Sequence, residues 1–403
     1  MDSEPTLIIH PHQGTPDLID TPEELAKACH ALSKSTAPIA IDVERAGGYR
    51  YSNRAYLVQI RREDIGTFLI DSDALPDLSS LNEPLGNAPW ILHDADQDIA
   101  SLRLAGLTIP ELFDTMLAAR LLGFERFGLA AVCEQILGLT LDKNHQNDDW
   151  STRPLPRAWL RYAALDVELL TDLYNQMGKA LYDQNRWDWA QAEFQNILTR
   201  PAKPADPNRW RNIPGAGKIR TRRNLAILEE LWQTRERIAA EIDIEPTRLI
   251  KNKMLVDLAL QPPRTTRQFL NVQELRRPRT RKYLDQWMAA INRGKSRLDA
   301  QLPELKRPHA PGELPKVTTW KATEPAAHTR LQHIRECVKK SAEKLGIDQE
   351  ILLEPRIQRH IAWHNVRYQG ADLQQFLTRH GARPWQIEHV LKDLGRAIKT
   401  MPA

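Results

Sequence analysis

Two different spacings of hydrophobic residues divide this chain. Up to about residue 198, short runs of aliphatic and aromatic residues alternate with amphipathic stretches, which is typical of an α/β domain. The short runs predict strands at residues 39–44, 55–61, 67–71 and 90–93. The amphipathic stretches predict helices at residues 96–105, 115–122, 129–137 and 156–185. Because no helix separates the first three strands, we expect them to form an antiparallel meander.

Beyond a proline-rich stretch at residues 200–210, apolar residues recur only at the helical spacing of three and four. Two helical stretches match each other at a shift of 103 residues, so that Leu228 falls on Leu331 and Leu258 on Ile361. This match predicts a duplicated helical domain. The expected order is an α/β domain at 1–200, a linker at 201–214, a helical domain at 215–300, a proline-rich linker at 301–327 and a second helical domain at 328–403.

The composition is that of a globular protein. Of the 403 residues, 41% are hydrophobic and 27% are charged, and no run of eighteen apolar residues occurs. The first residues lack a basic region followed by an apolar stretch, which argues against a secretory signal. The three cysteines, Cys29, Cys133 and Cys337, are scattered and have no metal-ligand spacing. We expect buried thiols, a cytoplasmic location and no membrane partner.

The charge is unevenly distributed. The whole chain carries a net charge of +4, but residues 201–297 contain 22 Lys+Arg against 10 Asp+Glu. An excess of this size favours binding of a polyanion by the first helical domain. The alternative is a solvated helical surface with surplus arginine.

Asp42 and Glu44 lie two residues apart in the predicted strand IAIDVERAGGYR, so their side chains point to the same face. Two neighbouring acids repel each other unless a cation lies between them, which suggests a metal site. A solvated strand end is the alternative explanation.

A second pair lies in the predicted helix LRYAALDVELL. Tyr162 and Asp166 are four residues apart and therefore occupy one face of the helix, a turn apart. A tyrosine can hold a metal-bound water by its hydroxyl, although its ordinary acidity makes it a poor base near neutral pH. A core tyrosine is the alternative.

The third stretch, ILHDADQDIASLRLAG, changes from strand to helix. Asp98 lies near the start of that helix, where the helix dipole favours a carboxylate. Helix capping accounts for Asp94 or Asp96. His93 is interpreted as a structural or substrate-facing residue, because nothing nearby has the spacing of a zinc site.

The order Asp-x-Glu, then a strand-to-helix Asp, then Tyr-x-x-x-Asp resembles the tyrosine-bearing subclass of the DEDD superfamily of 3′-5′ exonucleases. The segment DDWSTRPLPRAWLRYAALDVELL resembles the ribonuclease D family in particular. The stretch LEELWQTRERIAAEIDIEPTRLIKNKMLVDLA resembles the HRDC domain of such enzymes and of certain helicases. The resemblance implies an α/β ribonuclease H-like exonuclease domain, with a mixed sheet flanked by helices, followed by two all-α HRDC-like domains.

The resemblance also implies roles for five residues. Asp42, Glu44, Asp98 and Asp166 would bind two divalent ions, Mg²⁺ or Mn²⁺, and Tyr162 would position the attacking water. Asp98 would contact one ion mainly through water. The expected reaction is stepwise release of nucleoside 5′-monophosphates from a single-stranded RNA 3′ end, with tRNA precursors as the substrate that the family implies.

Contacts to the substrate are expected from residues on both sides of these acids. The loop RAGGYRYSNRAY places arginines beside aromatic rings, which suits phosphates and bases, although a hairpin loop with ordinary surface arginines is equally compatible. Arg153 is the best candidate for a phosphate clamp, and Trp150 either stacks on a base or packs. The complete set of candidate substrate contacts is Arg153, Trp150, His93, Arg50, Arg54 and Tyr51.

Two other functions stay open at this point. The same metal site would cut DNA, and a chain with an inactive nuclease domain would act as a nucleic-acid-binding scaffold. The complete set of acids argues against the scaffold. Val338 stands in the second helical copy where the first copy has Arg235, so RNA contacts are not assumed for the second copy. No spare apolar helix face is evident, and we expect a monomer.

Overall fold

The computed structural model describes residues 5–141, 144–201, 204, 206–306, 312–364 and 371–400. The described residues form eight strands, β1 (Thr6–Ile8), β2 (Leu18–Ile19), β3 (Ile39–Arg45), β4 (Ala55–Arg62), β5 (Gly66–Ile70), β6 (Trp90–Leu92), β7 (Leu112–Asp114) and β8 (Leu139–Leu141). The first helices are α1 (Pro22–Leu32), α2 (Asn82–Leu85), α3 (Ala95–Leu104), α4 (Thr115–Leu121), α5 (Leu129–Leu137), α6 (Arg157–Glu168), α7 (Leu170–Asp183) and α8 (Trp187–Thr199).

The remaining helices follow in two series. The first comprises α9 (Arg222–Glu241), α10 (Pro246–Leu249), α11 (Asn252–Leu260), α12 (Thr266–Leu270), α13 (Pro278–Arg281) and α14 (Leu284–Ser296). The second comprises α15 (Val317–Thr323), α16 (Pro325–Leu345), α17 (Gln349–Leu352), α18 (Pro355–Trp363), α19 (Ala371–Arg379) and α20 (Pro384–Thr400). None of the helices in the described part of the chain has both the length and the apolarity needed to cross a lipid bilayer.

The contacts divide the chain into two compact units. The first unit consists of Met1–Glu44, Arg54–Arg200 and Pro311–Ala403, and the second of Arg45–Asn53 and Pro201–Ala310. The first unit therefore contains both the α/β part and the C-terminal helices. The second contains the first helical series together with the loop that joins β3 to β4. The predicted domains are contiguous in sequence. They therefore do not group residues 45–53 with the first helical domain, or the C-terminal helices with the α/β domain, as the contacts do.

A mixed six-stranded sheet is the centre of the first unit. Its strand order is β2-β5-β4-β3-β6-β7. β4 is antiparallel to β5, whereas β6 is parallel to both β3 and β7. The fold class is as predicted, and β3, β4 and β5 lie side by side as expected for a meander. β3 is thus an inner strand, and its first three residues are fully buried.

The C-terminal helices share their hydrophobic core with the α/β part of the first unit. Arg383 forms a bidentate ion pair with the buried carboxylate of Glu193 in α8, with distances of 2.7 and 2.5 Å. The indole of Trp385 donates a hydrogen bond to the same carboxylate and stacks on Trp189 at 4.8 Å between ring centroids. These contacts attach the second helical series to the α/β part of the first unit.

The predicted duplication is visible in the helices themselves. α9, α10 and α11 recur as α16, α17 and α18, displaced by 103 residues at the start of each helix. Arg235, the residue replaced by Val338 in the second copy, is only 3% exposed, and its guanidinium bonds to Asn252 Oδ1 at 2.6 Å. Arg235 therefore holds α9 to the start of α11, and its replacement says nothing about RNA contacts.

One helix prediction was wrong. The sequence predicts one continuous helix over residues 156–185, whereas the structure has α6 and α7, separated at Leu169. Leu169 has φ −100° and ψ −1°, and both Leu169 and Leu170 are buried. No proline or glycine marks the junction. The break lets α7 pack on α4 and α5, so tertiary packing overrides a continuous helical pattern.

Candidate active site

Asp42 and Glu44 project from the same face of β3, as the alternation of side chains along a strand requires. Glu44 is 8% exposed and Asp42 is partly buried. Carboxylates this close to the sheet are poorly solvated. They are therefore costly to ionise unless a cation or a hydrogen-bond donor is present.

Helix α6 brings the second pair of residues to the same place. The helix packs against β4 and β5, and residues Leu165 and Val167 are buried in the core. One oxygen each from Asp42, Glu44 and Asp166 can be chosen so that all three lie within 4.8 Å of one another. Three carboxylates at this separation form a set of oxygen donors suited to a hard divalent cation.

The electrostatics of this group depend on its burial. Burial raises the pKa of Asp166, the negative charge of Asp42 raises it further, and the hydrogen bond from Tyr162 lowers it. Burial also raises the pKa of Tyr162 far above that of an ordinary phenol, and the charges of Asp166 and Glu44 add to the rise. A phenol with so high a pKa is neutral throughout the physiological pH range, which favours Tyr162 as a hydrogen-bond donor over a role as a base.

Asp98 lies in α3 and is 5% exposed. It is outside the three-carboxylate group that the described residues form within 4.8 Å. This position is compatible with the water-mediated contact expected for Asp98. It also sets Asp98 apart from the candidate ligands Asp42, Glu44 and Asp166.

The start of α3 is held by a residue that sequence reasoning missed. Asp114, at the end of β7, is fully buried and accepts hydrogen bonds from the amides of Ala95 at 2.8 Å and Leu117 at 3.0 Å. It thereby caps α4 and anchors α3, which carries Asp98. Burial raises the pKa of Asp114 to about 6, although these amides oppose the rise. An aspartate directly before the predicted helix at 115–122 was the available signal.

The predicted capping by Asp94 or Asp96 was wrong. Asp94 occupies the N-cap position of α3 but makes no capping hydrogen bond through its side chain. Its φ of 61° places it in the left-handed region, whereas a capping residue normally has an extended backbone. The side chain of Asp96 forms an ion pair with Arg200 instead.

Aromatic rings surround Tyr162. Trp150 has no exposed surface, lies 6.4 Å from the Tyr162 ring and donates to the carbonyl oxygen of His145 at 3.3 Å. Trp150 thus follows the packing alternative, because a fully buried indole cannot stack on a base. His145 meets the Tyr162 ring edge-on at 5.9 Å, and its Nδ1 lies 2.6 Å from an oxygen of Asp148. Sequence reasoning missed His145, which carries no distinctive spacing.

Arg153 is not available as a phosphate clamp. Its Nε and one Nη donate to the two oxygens of Asp71 at 2.7 and 2.6 Å. The other three N–H groups donate to main-chain carbonyls of Tyr56, Trp150 and Thr152, at 2.8–2.9 Å. A guanidinium has five N–H donors, and all five are used within the protein. The predicted phosphate contact is corrected to a structural role, joining the segment before α6 to β4 and to the end of β5.

His93 is held at the carboxyl end of β6. Its Nδ1 lies 2.9 Å from the hydroxyl of Thr115, and that hydroxyl donates to the carbonyl oxygen of Leu92 at 3.1 Å. The hydroxyl must therefore accept from His93, which assigns the proton to Nδ1. Burial lowers the pKa of His93 to about 4, so the imidazole is neutral at physiological pH.

The three loop candidates differ in their surroundings. Arg54 forms an ion pair with Asp73 and lies 4.4 Å above the Tyr56 ring, so its charge is already partly neutralised. Tyr51 is 43% exposed, and Arg50 is partly exposed. Tyr51 and Arg50 belong to the loop grouped with the second unit. The exposed ring of Tyr51 is the more suitable of the three for stacking.

All three cysteines are free, and only Cys133 is fully buried, whereas Cys29 and Cys337 are partly exposed.

Comparison with known proteins gives three matches to family models. A model described as 3′-5′ exonuclease covers residues 16–182, one described as HRDC domain covers 224–291, and one described as 3′ to 5′ exonuclease C-terminal domain covers 313–398. A ribonuclease D of Jannaschia sp. is 30% identical over 306 residues, which are 72% of this chain and 77% of that protein. A ribonuclease D of Zymomonas mobilis is 32% identical over 281 residues, covering 66% and 68% of the two chains.

Solved structures extend the likeness over nearly the whole chain. A protein from Bifidobacterium adolescentis has a TM-score of 0.90 and 34% identity, covering 98% of this chain and all of that one. Escherichia coli RNase D, described as an exoribonuclease involved in structured RNA processing, has a TM-score of 0.68 and 22% identity over 96% of this chain and 99% of its own. The latter comparison supports the fold alone.

Proposed function

The chain belongs to the ribonuclease D family and is a 3′-5′ exoribonuclease, and we propose that it trims the 3′ ends of structured RNAs, tRNA precursors among them, by two-metal-ion hydrolysis. The observation that carries the proposal is the approach of Asp42, Glu44 and Asp166 within 4.8 Å. Their mutual repulsion, which raises the pKa of Asp166, is relieved when a cation is bound. The residues therefore fit Mg²⁺ or Mn²⁺.

In this proposal Asp42, Glu44 and Asp166 would hold the ions, and Asp98 would contribute through water. When bound, two divalent ions lower the pKa of the attacking water and neutralise charge on the departing 3′ oxygen. Tyr162 keeps its proton and orients the attacking water through its hydroxyl. Trp150 and His145 pack on the Tyr162 ring and fix the direction of that hydroxyl.

RNA is the proposed substrate, and Tyr51 and Arg50 are proposed contacts to it. The cytoplasmic location and the monomeric state of the protein remain predictions. Sedimentation of the purified protein measures the latter directly.

The test uses purified protein, Mg²⁺ or Mn²⁺, and 5′-labelled RNA that has a hairpin and a single-stranded 3′ tail. We expect a ladder of products shortened one nucleotide at a time, release of nucleoside 5′-monophosphates, and no cleavage of the same sequence closed into a circle. Cleavage of the circle, or products with a 3′ phosphate, would contradict the proposed reaction. Faster degradation of a DNA strand of the same sequence would overturn RNA as the substrate.

The site is tested with isosteric substitutions. Asp42→Asn and Asp166→Asn should each lower kcat by at least about 10³-fold, whereas Asp98→Asn should have a smaller effect. Asp183→Asn, in an exposed ion pair with Lys179, is the matched control and should leave kcat unchanged. Full activity of Asp42→Asn and Asp166→Asn would show that the chemistry lies elsewhere. Sequencing of RNA 3′ ends in cells with and without Asp42→Asn would identify tRNA precursors, as extended ends, if they are the substrate.

A further inference from the structure

A large cleft in the second unit is lined by Gly48 and by five basic side chains, Arg248, Lys251, Lys253, Arg277 and Arg279. Its volume is about 740 Å³. We call it the basic cleft. Three of the five cations come from α10, α11 and the turn between them, and two come from the start of α13, all within the basic stretch 201–297.

Most of this charge is not neutralised within the protein. Lys251, Arg277 and Arg279 are exposed and form no ion pair or hydrogen bond through their side chains with any residue that the structure describes. Lys253 pairs with Asp257 at 2.5 Å. The cleft therefore presents three unpaired cations to solvent.

Glu245 is the one acid among the described residues that line the cleft, and it has a structural task. Its carboxylate caps α10 by accepting from the amide of Arg248 at 3.0 Å, and it also accepts from the hydroxyl of Thr247 at 2.5 Å. A capping carboxylate is stabilised by the helix dipole and is fixed in place. It does not balance the five cations around it.

The rim formed by Gly48 belongs to the loop between β3 and β4. Arg248 Nε donates to the carbonyl oxygen of Gly48 at 2.5 Å, and its guanidinium lies 4.0 Å above the Tyr49 ring. The amide of Glu245 donates to the carbonyl oxygen of Tyr49 at 3.0 Å, and the amide of Ser52 donates to Asp243 at 2.7 Å. The loop is therefore fixed to the turn between α9 and α10. Gly48 follows Glu44 by four residues in the sequence.

Exposed arginines and lysines around an open cleft match the phosphates of a polyanion. A small anion would instead require enclosed, converging donors. Phosphate contacts fix the position of a nucleic acid without reading its sequence. Such contacts suit an enzyme that shortens many different 3′ ends.

We propose that the basic cleft binds the sugar-phosphate backbone of the RNA body, upstream of the 3′ end that is cut, through Lys251, Arg277 and Arg279. This inference rests on the proposed function and deepens it. The cleft adds affinity for long or folded RNA, and short oligonucleotides that end at the catalytic acids do not use it.

The experiment compares two charge-reversed triple variants of the full chain. The cleft variant carries Lys251→Glu, Arg277→Glu and Arg279→Glu. The control variant carries Lys218→Glu, Arg220→Glu and Arg267→Glu, at three exposed basic residues of the same domain that do not line the cleft. Binding to a hairpin RNA with a single-stranded 3′ tail is measured in a metal chelator, so that no cleavage occurs, over a series of salt concentrations. Cleavage of a five-nucleotide RNA is measured separately with Mg²⁺.

For the cleft variant we expect hairpin binding to weaken by at least about tenfold and the slope of log K against log salt to fall by about 2–3, because three phosphate contacts are lost. The control variant should change both quantities much less. Both variants should cleave the five-nucleotide RNA within about twofold of the unaltered protein. Equal losses in the two variants, or unchanged binding by the cleft variant, would overturn the proposal.

Two further measurements keep the result interpretable. If the Glu variant melts at a lower temperature, Lys251→Gln/Arg277→Gln/Arg279→Gln repeats the test without charge reversal. Vesicles of one part phosphatidylglycerol to three parts phosphatidylcholine replace RNA in a parallel series, and loss of vesicle binding with retained RNA binding would also overturn the inference. If no form of the protein cleaves RNA, the proposed function fails. The binding series still shows whether the basic cleft binds RNA.

Discussion

Arg153 and Asp71 form a bidentate ion pair, with distances of 2.7 and 2.6 Å, although 82 residues separate them in the sequence. The pair joins the segment that leads into α6 to the end of β5. The position of Tyr162 and Asp166 relative to β3 therefore depends on an arginine that has no donor left for RNA.

Arg153→Ala is expected to destabilise the protein by about 3 kcal/mol, because it leaves the buried Asp71 carboxylate without its partner. Thermal unfolding measures the loss, and KM for a short RNA should stay near that of the unaltered protein. Arg157→Ala is the control from the same segment. Its exposed pair with Asp17 should contribute less than about 1 kcal/mol. A raised KM with an unchanged Tm would instead assign Arg153 to substrate binding.

Tyr162→Phe removes the hydroxyl and keeps the ring among Trp150 and His145. We expect kcat to fall by about 10²-fold with little change in KM. Since the pKa of Tyr162 lies far above its ordinary value, this factor should be constant from pH 7 to 9. Pre-steady-state kinetics across that range provide the measurement, with exposed Tyr182→Phe as the control. A defect that disappears at high or low pH would indicate proton transfer by the phenol.

The lowered pKa of His93 predicts that the folded protein loses stability on acidification. Its pKa is about 4 in the folded chain and near 6.5 when unfolded, so between these values the unfolded state binds the additional proton. Stability is therefore complete above about pH 6.5 and is lost as the pH falls towards 4, by about 2–3 kcal/mol.

The variant His93→Asn retains an N–H group for Thr115 and does not titrate. Denaturant unfolding at pH 7 and pH 4.5 should show a smaller loss for this variant than for the unaltered protein. Parallel losses in the two proteins would refute a neutral, partly buried His93.

Glu193→Ala should release the C-terminal helices from the first unit. The substitution removes the acceptor shared by Arg383 and Trp385 and leaves Glu354 as the remaining carboxylate partner of Arg383, at a cost of about 3 kcal/mol. Differential scanning calorimetry and limited proteolysis should show earlier unfolding and faster cleavage. Glu343→Ala, in an exposed pair with Lys339, should behave like the unaltered protein, and equal behaviour of both variants would contradict this role for Glu193.

The shared core also changes what a truncation can test. From the sequence we expect a chain ending near residue 201 to cut short oligonucleotides slowly and to lose only affinity for long RNA. In the structure that truncation removes the helices that cover Glu193 and stack on Trp189. We therefore expect the shortened chain to be unstable, with a lowered Tm as the measurement. Charge substitutions in the intact chain are the better test of RNA binding.

Local periodicity determined much of this protein. A repeat of two residues along a strand places Asp42 and Glu44 on one face, and a spacing of four along a helix does the same for Tyr162 and Asp166. The shift of 103 residues likewise identifies the repeated helices, since each repeat must bury the same apolar face. These are properties of short segments, and the sequence contains them completely.

Tertiary structure decided how the segments combine. The sheet order brings β3 beside β6 and lets α6 carry Asp166 to Asp42. The assembled fold also uses every donor of Arg153 and buries Trp150. It breaks the long helix at Leu169 and joins the C-terminal helices to the catalytic core. Each of these outcomes depends on contacts between residues far apart in the chain. A local pattern does not specify them, because burial and hydrogen-bond satisfaction are properties of the assembled fold.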